Sequence, residues 1–130
     1  MTGSNPFSID TENSHNFYRS LKKLAKEHKV HKNSFFLRVT QVLENLIENP
    51  YPINSRQEPL PKKSKLPQGW TFHKLEFRFA KGASGQIRLM YLVNTTTSVI
   101  KLVWIYTHKQ FEKRPDDKDL RSVIQQILED

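Results

Sequence analysis

The residues best suited to do chemistry alternate along two predicted strands in the second half of the chain. Lys74, Glu76 and Arg78 occupy every second position of one strand, and Arg88 lies in phase with them on the next. Because successive side chains of a strand point to opposite faces, these four should share one sheet face. The charged ends of Lys74, Arg78 and Arg88 should converge within about one strand spacing, ~4.8 Å. The planar guanidinium of arginine matches phosphate oxygens and keeps its charge at any working pH.

Groups that could move protons stand beside these cations. Glu76 lies between Lys74 and Arg78 in phase, so its carboxylate could accept a proton. Tyr106 and His108 follow at the end of the last predicted strand, on one face, and either can donate or relay a proton. Cleaving a phosphodiester without a metal needs cations on the phosphate, a proton acceptor and a proton donor. The alternative is a solvated sheet face on which Glu76 forms surface ion pairs.

Other kinds of site lack their signatures. The sequence contains no cysteine, which excludes a disulfide scaffold, a zinc finger and a thiol nucleophile. Its five histidines show no recognised metal-ligand spacing, so we expect neither a metal site nor a cofactor. Residues 82–85, GASG, lack the lysine and the helix of a phosphate-binding P-loop, and there is no nucleophile elbow.

The charge balance favours a polyanionic partner. The 130 residues include 21 Lys and Arg against 13 Asp and Glu, so the formal net charge is +8. Such an excess is typical of proteins that bind nucleic acid, and surface lysines that serve solubility are the alternative. Two further basic groups could follow phosphates without reading sequence, although the helical one could also be a plain solvated face. They are Arg19, Lys22, Lys23, Lys26, Lys29 and Lys32 on a predicted helix, and Lys62, Lys63 and Lys65 in a predicted loop.

The first half of the chain predicts a short strand, two helices and a long loop. The strand is expected near 7–10, within a polar segment over residues 1–13. Apolar residues at helical spacing over 17–25 and 35–47 predict an antiparallel helical hairpin. Residues 50–69 contain five of the seven prolines, which favours a stiff loop.

The second half predicts three strands and a last helix. The strands are expected near 70–79, 87–93 and 99–106, separated by a hairpin loop at 80–86 and a turn at 94–98. Apolar residues at helical spacing after Pro115 predict the helix.

The order β-α-α-β-β-β-α predicts an α+β fold. We expect a small antiparallel sheet with the N-terminal helical hairpin on one face and a C-terminal helix. The length suits a single domain over residues 1–130. No apolar run approaches the ~20 residues of a membrane span and no signal-like stretch is present, so we expect a cytoplasmic protein without a membrane partner.

Seven segments, taken in chain order, resemble the motifs of one known family. They are FSID at 7–10 with FYRSLKKL at 17–24, EPL at 58–60 with GW at 69–70, HKLEFR at 73–78, GQIRLMY at 85–91, and IYTHK at 105–109. The family is the RelE/ParE toxin superfamily, whose "G-x-x-R-L-x-Y" strand is its most recognisable piece. The EPL segment is similar to the YoeB branch, and the lysine-bearing strand is similar to that of RelE.

The resemblance implies a toxin of a type II toxin–antitoxin system, neutralised by a cognate antitoxin. In the RelE-like branch the toxin enters the ribosomal A site, where it contacts rRNA and cleaves mRNA. The ribose 2′-OH attacks the adjacent phosphate without a metal. Carried over by position, Lys74 would stabilise charge, Arg88 would hold the scissile phosphate and Glu58 would be the general base. Tyr106 or His108 would be the general acid.

Two features depart from that branch. Glu76 stands where RelE has a second lysine, which removes a cation and could supply a base. The loop at 80–86 is longer than the usual tight turn, which leaves the register between Arg78 and Arg88 open. The competing interpretations are a ParE-like toxin that inhibits DNA gyrase by protein contact and an inactive member that only binds RNA or a partner.

Overall fold

A computed structural model describes residues 6–129 of the chain, so residues 1–5 of the predicted N-terminal segment and Asp130 lie outside the described part. The helices are α1 (His15–Glu27), α2 (Lys32–Glu48) and α3 (Asp117–Leu128), with short 3-10 turns at Lys29–His31 and Ala83–Gly85. The strands are β1 (Ser8–Asp10), β2 (Ser55–Gln57), β3 (Trp70–Arg78), β4 (Gln86–Asn94) and β5 (Val99–Thr107). None of these helices is both long and apolar enough to span a membrane.

The predicted α+β class is confirmed, but the sheet is mixed. Its strand order is β1-β5-β4-β3-β2, and three of the four pairings are antiparallel. β1 runs parallel to β5, so the expectation of a purely antiparallel sheet is wrong at this edge. A strand of three residues carries no local signal for its direction. The chain leads from β1 into α1, which packs on β5, and this connection brings the two strands side by side.

The segment 50–69, expected to be a loop throughout, contains the edge strand β2. Arg56 pairs with Lys74 of β3, and Gln57 pairs with His73. Proline is tolerated only at the edges and ends of strands because it lacks a donor N–H. Residues 53–58 contain no proline, so this short stretch between Pro52 and Pro59 can complete a ladder. The strand places the following residue, Glu58, against β3.

The two faces of the sheet are covered unequally. The α1–α2 hairpin packs across one face, as expected, and buries residues such as Leu24 and Phe35 against Leu75 and Leu89. On the opposite face α3 forms a second, smaller core over Phe72 and its neighbours. That core covers one end of the strands only. The other end, which carries Glu76 and Arg78, stays exposed.

The hydroxyl of Tyr91 ties the end of α2 to the central strand β4. It is buried and donates a hydrogen bond of 2.7 Å to the carbonyl oxygen of Pro50. Tyr91→Phe would leave that carbonyl without a partner, so we expect the free energy of unfolding to fall by about 1–2 kcal/mol. Urea denaturation measures this, with Tyr18→Phe as the control because the Tyr18 ring is exposed. An equal loss in both variants would contradict the prediction.

His73 makes the stability of the fold sensitive to mild acid. Burial lowers the pKa of His73 below its ordinary value of 6.5. The unfolded chain therefore binds a proton that the folded chain excludes, and stability falls as the pH drops below about 6.5 towards the folded pKa. We expect the loss of unfolding free energy between pH 7 and pH 5 to be smaller in His73→Gln than in the parent. Denaturant titrations at several pH values test this, and parallel pH profiles would refute it.

Candidate active site

Glu58 is the centre of a buried charge cluster on the α3 side of the sheet. Its backbone N–H donates to the Phe72 carbonyl at 2.8 Å, which fixes the residue just beyond β2. The carboxylate is only 5% exposed and lies 3.3 Å from the Nε of Arg56. It is also 3.6 Å from the Nζ of Lys74 and 3.6 Å from Nη1 of Arg114. One acidic group therefore joins the edge strand, β3 and the segment that precedes α3.

Lys74 is a buried cation held next to this carboxylate. Its side chain is 6% exposed. Burial lowers the pKa of Lys74, Glu58 opposes that shift, and the charges of Arg56 and Arg88 add to it. Positive charges thus surround Lys74 on two sides, an arrangement that costs free energy in the empty protein and favours an incoming anion.

The register of β3 and β4 places Arg88 directly opposite Glu76. Their side chains form an ion pair of 3.3 Å. In the loop between β3 and β4, the backbone of Gly85 lies against Ala80. A Cβ at Gly85 would overlap the Ala80 carbonyl, so only glycine fits at this position. This glycine is the first residue of the GQIRLMY segment and immediately precedes β4.

The guanidinium of Arg88 is oriented by the segment after β5. Nη1 donates to the carbonyl oxygen of Glu112 at 3.0 Å and to that of Phe111 at 3.4 Å. It also lies 3.0 Å from Nδ1 of His108. Because arginine can only donate, Nδ1 must be the acceptor here and the ring hydrogen is on Nε2. Arg88 is therefore held in one place before any ligand binds.

Tyr106 and His108, which the sequence left as equal candidates, lie in different surroundings. Tyr106 is fully buried, with Phe111 packed edge-on against its ring. Its hydroxyl donates to the carbonyl oxygen of Lys113 at 3.1 Å, and burial raises its pKa. His108 is partly exposed and contacts Arg88. The geometry therefore favours His108 as the group that can reach a bound ligand, and Tyr106 as a support for the segment above it.

Glu58, Lys74, Glu76 and Arg88 line an open groove of about 740 Å³, and His108 contacts Arg88 without being one of the lining residues. Its lining includes five basic residues, Arg56, Lys74, Arg88, Lys113 and Arg114, and three acidic ones, Glu58, Glu76 and Glu112. Positive charge prevails, and the groove suits an anionic ligand with hydrogen-bond acceptors. Within residues 6–129 no group of three or more His, Asp or Glu side chains is arranged to hold a metal ion.

Arg78 does not join Lys74 as the sequence predicted. It pairs with Gln86 rather than with Arg88, and four residues along one strand separate it from Lys74, about 13 Å. The prediction that Lys74, Arg78 and Arg88 converge is therefore wrong for Lys74 with Arg78. Arg78 lies exposed at the hairpin end of the sheet.

The remaining predicted phosphate-binding lysines lie outside the groove. Those of α1, Lys22, Lys23 and Lys26, are exposed on a helix that packs against the other face of the sheet. Those of the 50–69 segment, Lys62, Lys63 and Lys65, are exposed on the loop beside α3. Arg121 of α3 donates to the carbonyl of Lys62 at 2.9 Å, which holds that loop in place.

Sequence reasoning missed two members of the site, Arg56 and Arg114. Arg56 lies in a proline-rich stretch that gave no strand signal. Arg114 donates to the Pro59 carbonyl at 2.7 Å and to Asp117 at 3.0 Å, so it joins two segments that are distant in the sequence. The only local pointer was the EPL segment, since both arginines contact Glu58.

No protein-family model matches the chain, and no curated protein sequence matches it. Among solved structures, the chain is similar to a free-state mutant of the E. coli toxin RelE that carries two arginine-to-alanine substitutions. The similarity covers 95% of this chain and 99% of that one, with 17% sequence identity and a TM-score of 0.47. The function must therefore be argued from the side chains of this chain.

Glu58 and Lys74 should respond differently to substitution. Glu58→Gln leaves buried Lys74 without its counter-ion among the remaining cations, so we expect a loss of about 3 kcal/mol of unfolding free energy. Lys74→Met leaves Glu58 with two arginines. Because the pKa of Lys74 is lowered, its charged form is disfavoured in the folded chain, and the substitution removes that cost. We expect Lys74→Met to lie within about 1 kcal/mol of the parent. Thermal and urea unfolding measure the stability of both variants. Similar losses of unfolding free energy would contradict the role of Glu58 as the central counter-ion of the cluster.

Proposed function

We propose that the protein is an endoribonuclease toxin of a type II toxin–antitoxin module, which cleaves mRNA on the ribosome and is neutralised by a cognate antitoxin. The observation that carries the proposal is the grouping of Glu58, Lys74 and Arg88 along one groove, with His108 in contact with Arg88. These are the cations, the acceptor and the donor that phosphodiester cleavage by an internal hydroxyl requires. The sequence motifs shared with RelE-like toxins support the same reaction.

In the proposed reaction Arg88 and Lys74 bind the scissile phosphate. The ribose 2′-OH attacks the phosphorus, and Glu58 takes its proton. The bond from phosphorus to O5′ breaks, and the leaving oxygen takes a proton from His108. The products are a 2′,3′-cyclic phosphate and a 5′-hydroxyl end. Lys74 and Arg88 stabilise the negative charge that grows on the phosphate oxygens.

The contact between Arg88 and His108 gives substrate binding a role in proton transfer. While Nη1 donates to Nδ1, the ring cannot carry a proton at that nitrogen. When Nη1 turns to a bound phosphate, the ring is released from this contact and is free to turn its Nε2–H towards the leaving oxygen. Glu76 keeps the other side of the guanidinium in place through its 3.3 Å ion pair. Tyr106 acts as a positioning residue through the Lys113 carbonyl.

The distribution of charge also suits a substrate that is presented by a large RNA. The groove lies on the α3 side of the sheet, whereas Lys22, Lys23 and Lys26 lie on the hairpin side. In our proposal the groove holds mRNA, while the α1 lysines follow rRNA phosphates without reading sequence. Lys62, Lys63 and Lys65 extend the positive surface beside α3.

Induced expression in bacteria with mapping of mRNA 5′ ends tests the proposal. We expect the parent to generate new 5′-hydroxyl ends in translated mRNA, and Arg88→Ala to reduce them by about 10²-fold or more, since it removes the main phosphate contact. Lys118→Ala is the control, because it also deletes one positive charge but lies exposed on α3 outside the groove.

Three outcomes would overturn the proposal. Intact mRNA accompanied by gyrase-linked DNA breaks would identify a ParE-like gyrase inhibitor. Intact mRNA with RNA binding retained would identify an inactive member. Equal cleavage by Arg88→Ala and the parent would remove the assigned site.

A further inference from the structure

The exposed end of the sheet carries its cations in three rows across β2, β3 and β4. In the first row Arg56 of β2 is paired with Lys74 of β3. In the second row Glu76 is paired with Arg88 of β4. In the third row Arg78 is paired with Gln86. Each row is two residues farther along β3, so all of these side chains lie on one face.

The spacing of the rows suits a nucleotide strand. Two residues of a strand span about 6.7 Å, which is close to the distance between consecutive phosphates of an extended single strand. The groove of about 740 Å³ connects the first and second rows, since Arg56, Lys74, Glu76 and Arg88 all line it. A smaller depression of about 230 Å³ connects the second and third rows, through Glu76, Arg78, Gln86 and Arg88.

Both outer rows end in an arginine that solvent can reach. The side chain of Arg56 is 67% exposed, and only its Nε is engaged with Glu58, at 3.3 Å. Arg78 is also exposed. By contrast, Arg88 in the middle row is 13% exposed and is held by carbonyl oxygens. The guanidinium of Arg88 in the middle row is thus held in place by the protein. Those of Arg56 and Arg78, in the rows on either side, are exposed to solvent.

We propose that Arg56 and Arg78 bind the two phosphates that flank the scissile one, so that the protein holds three consecutive phosphates of a single strand. This inference rests on the proposed function, because it places the scissile phosphate at Arg88. It adds two binding subsites that neither the motifs nor the reaction itself requires.

The positions of the proton-transfer groups also determine the direction of the strand. Glu58 lies just beyond the first row, at the level of Phe72, and its carboxylate is 3.6 Å from Lys74. His108 lies at the third row, where its backbone N–H donates to the Gln86 carbonyl at 3.0 Å. The base must meet the 2′-OH of the nucleotide on the 5′ side of the scissile phosphate, and the acid must meet O5′ of the nucleotide on the 3′ side. The 5′-flanking phosphate therefore binds Arg56 and the 3′-flanking phosphate binds Arg78.

A tetranucleotide of thymidine, TpTpTpT, provides a probe with three phosphates and no 2′-OH, so it cannot be cleaved. In two analogues the first or the third phosphate is replaced by a neutral methylphosphonate. Affinities for the full-length protein are measured by NMR titration at low salt, where exposed charge pairs are least screened. The same titrations are run with Arg56→Gln, Arg78→Gln and the control Lys118→Gln.

We expect either neutral replacement to weaken binding by the parent and by Lys118→Gln about fivefold, the scale of one exposed charge pair. Arg56→Gln should bind about fivefold more weakly and become insensitive to replacement of the first phosphate, while it still responds to the third. Arg78→Gln should show the opposite pattern. Comparing each arginine substitution with each phosphate replacement isolates a single contact. If the arginine binds that phosphate, the two changes together weaken binding by less than the sum of their separate effects.

Several results would overturn the inference. If both arginine variants remain fully sensitive to both replacements, the flanking subsites are wrong. If Arg56 couples to the third phosphate and Arg78 to the first, the direction of the strand is wrong. An analogue that is neutral at the second phosphate separates this inference from the proposed function. If that analogue binds the parent as well as TpTpTpT does, the central site at Arg88 fails, whatever the outer rows show.

Discussion

The contact between the Glu58 carboxylate and Lys74 is the interaction on which the rest of the site depends. Both side chains are almost completely buried, and an isolated charge in either place would be strongly unfavourable. Glu58 is compensated by three cations that come from β2, β3 and the segment before α3. The Glu58 carboxylate therefore joins these three parts of the chain. Because the buried charges need these partners, the ion pairs fix the positions of the side chains around Glu58.

The position of α3 explains why the charged groups stay accessible. The apolar core that the helix helps to form includes Phe72, Leu92 and Tyr106 but not Glu76 or Arg88. A longer apolar stripe would have buried these charged groups as well, as the hairpin buries the other face of the sheet. The same sheet can thus have a closed core at one end and a basic groove at the other.

Arg88 shows how such a groove is prepared for an anion. The carbonyl oxygens of Phe111 and Glu112 and the carboxylate of Glu76 hold its guanidinium while the protein is empty. Since a flexible arginine loses much side-chain entropy on binding, this fixation lowers the entropic cost of binding a phosphate. The segment 111–113 is in turn held by the buried hydroxyl of Tyr106. Tyr106 therefore supports the position of Arg88 indirectly, by holding the backbone of the segment that contacts the guanidinium.

The sequence alone determined the class of the fold and which charged residues share one face of the sheet. Helical periodicity located α1, α2 and α3, and alternation placed Lys74, Glu76 and Arg88 on one face, because both patterns are local properties of the chain. Only the tertiary structure decided that Arg56 and Arg114 meet Glu58, that β1 runs parallel to β5, and that His108 rather than Tyr106 is accessible. These facts depend on contacts between residues far apart in the chain, where charge pairing and burial act without any periodic signal.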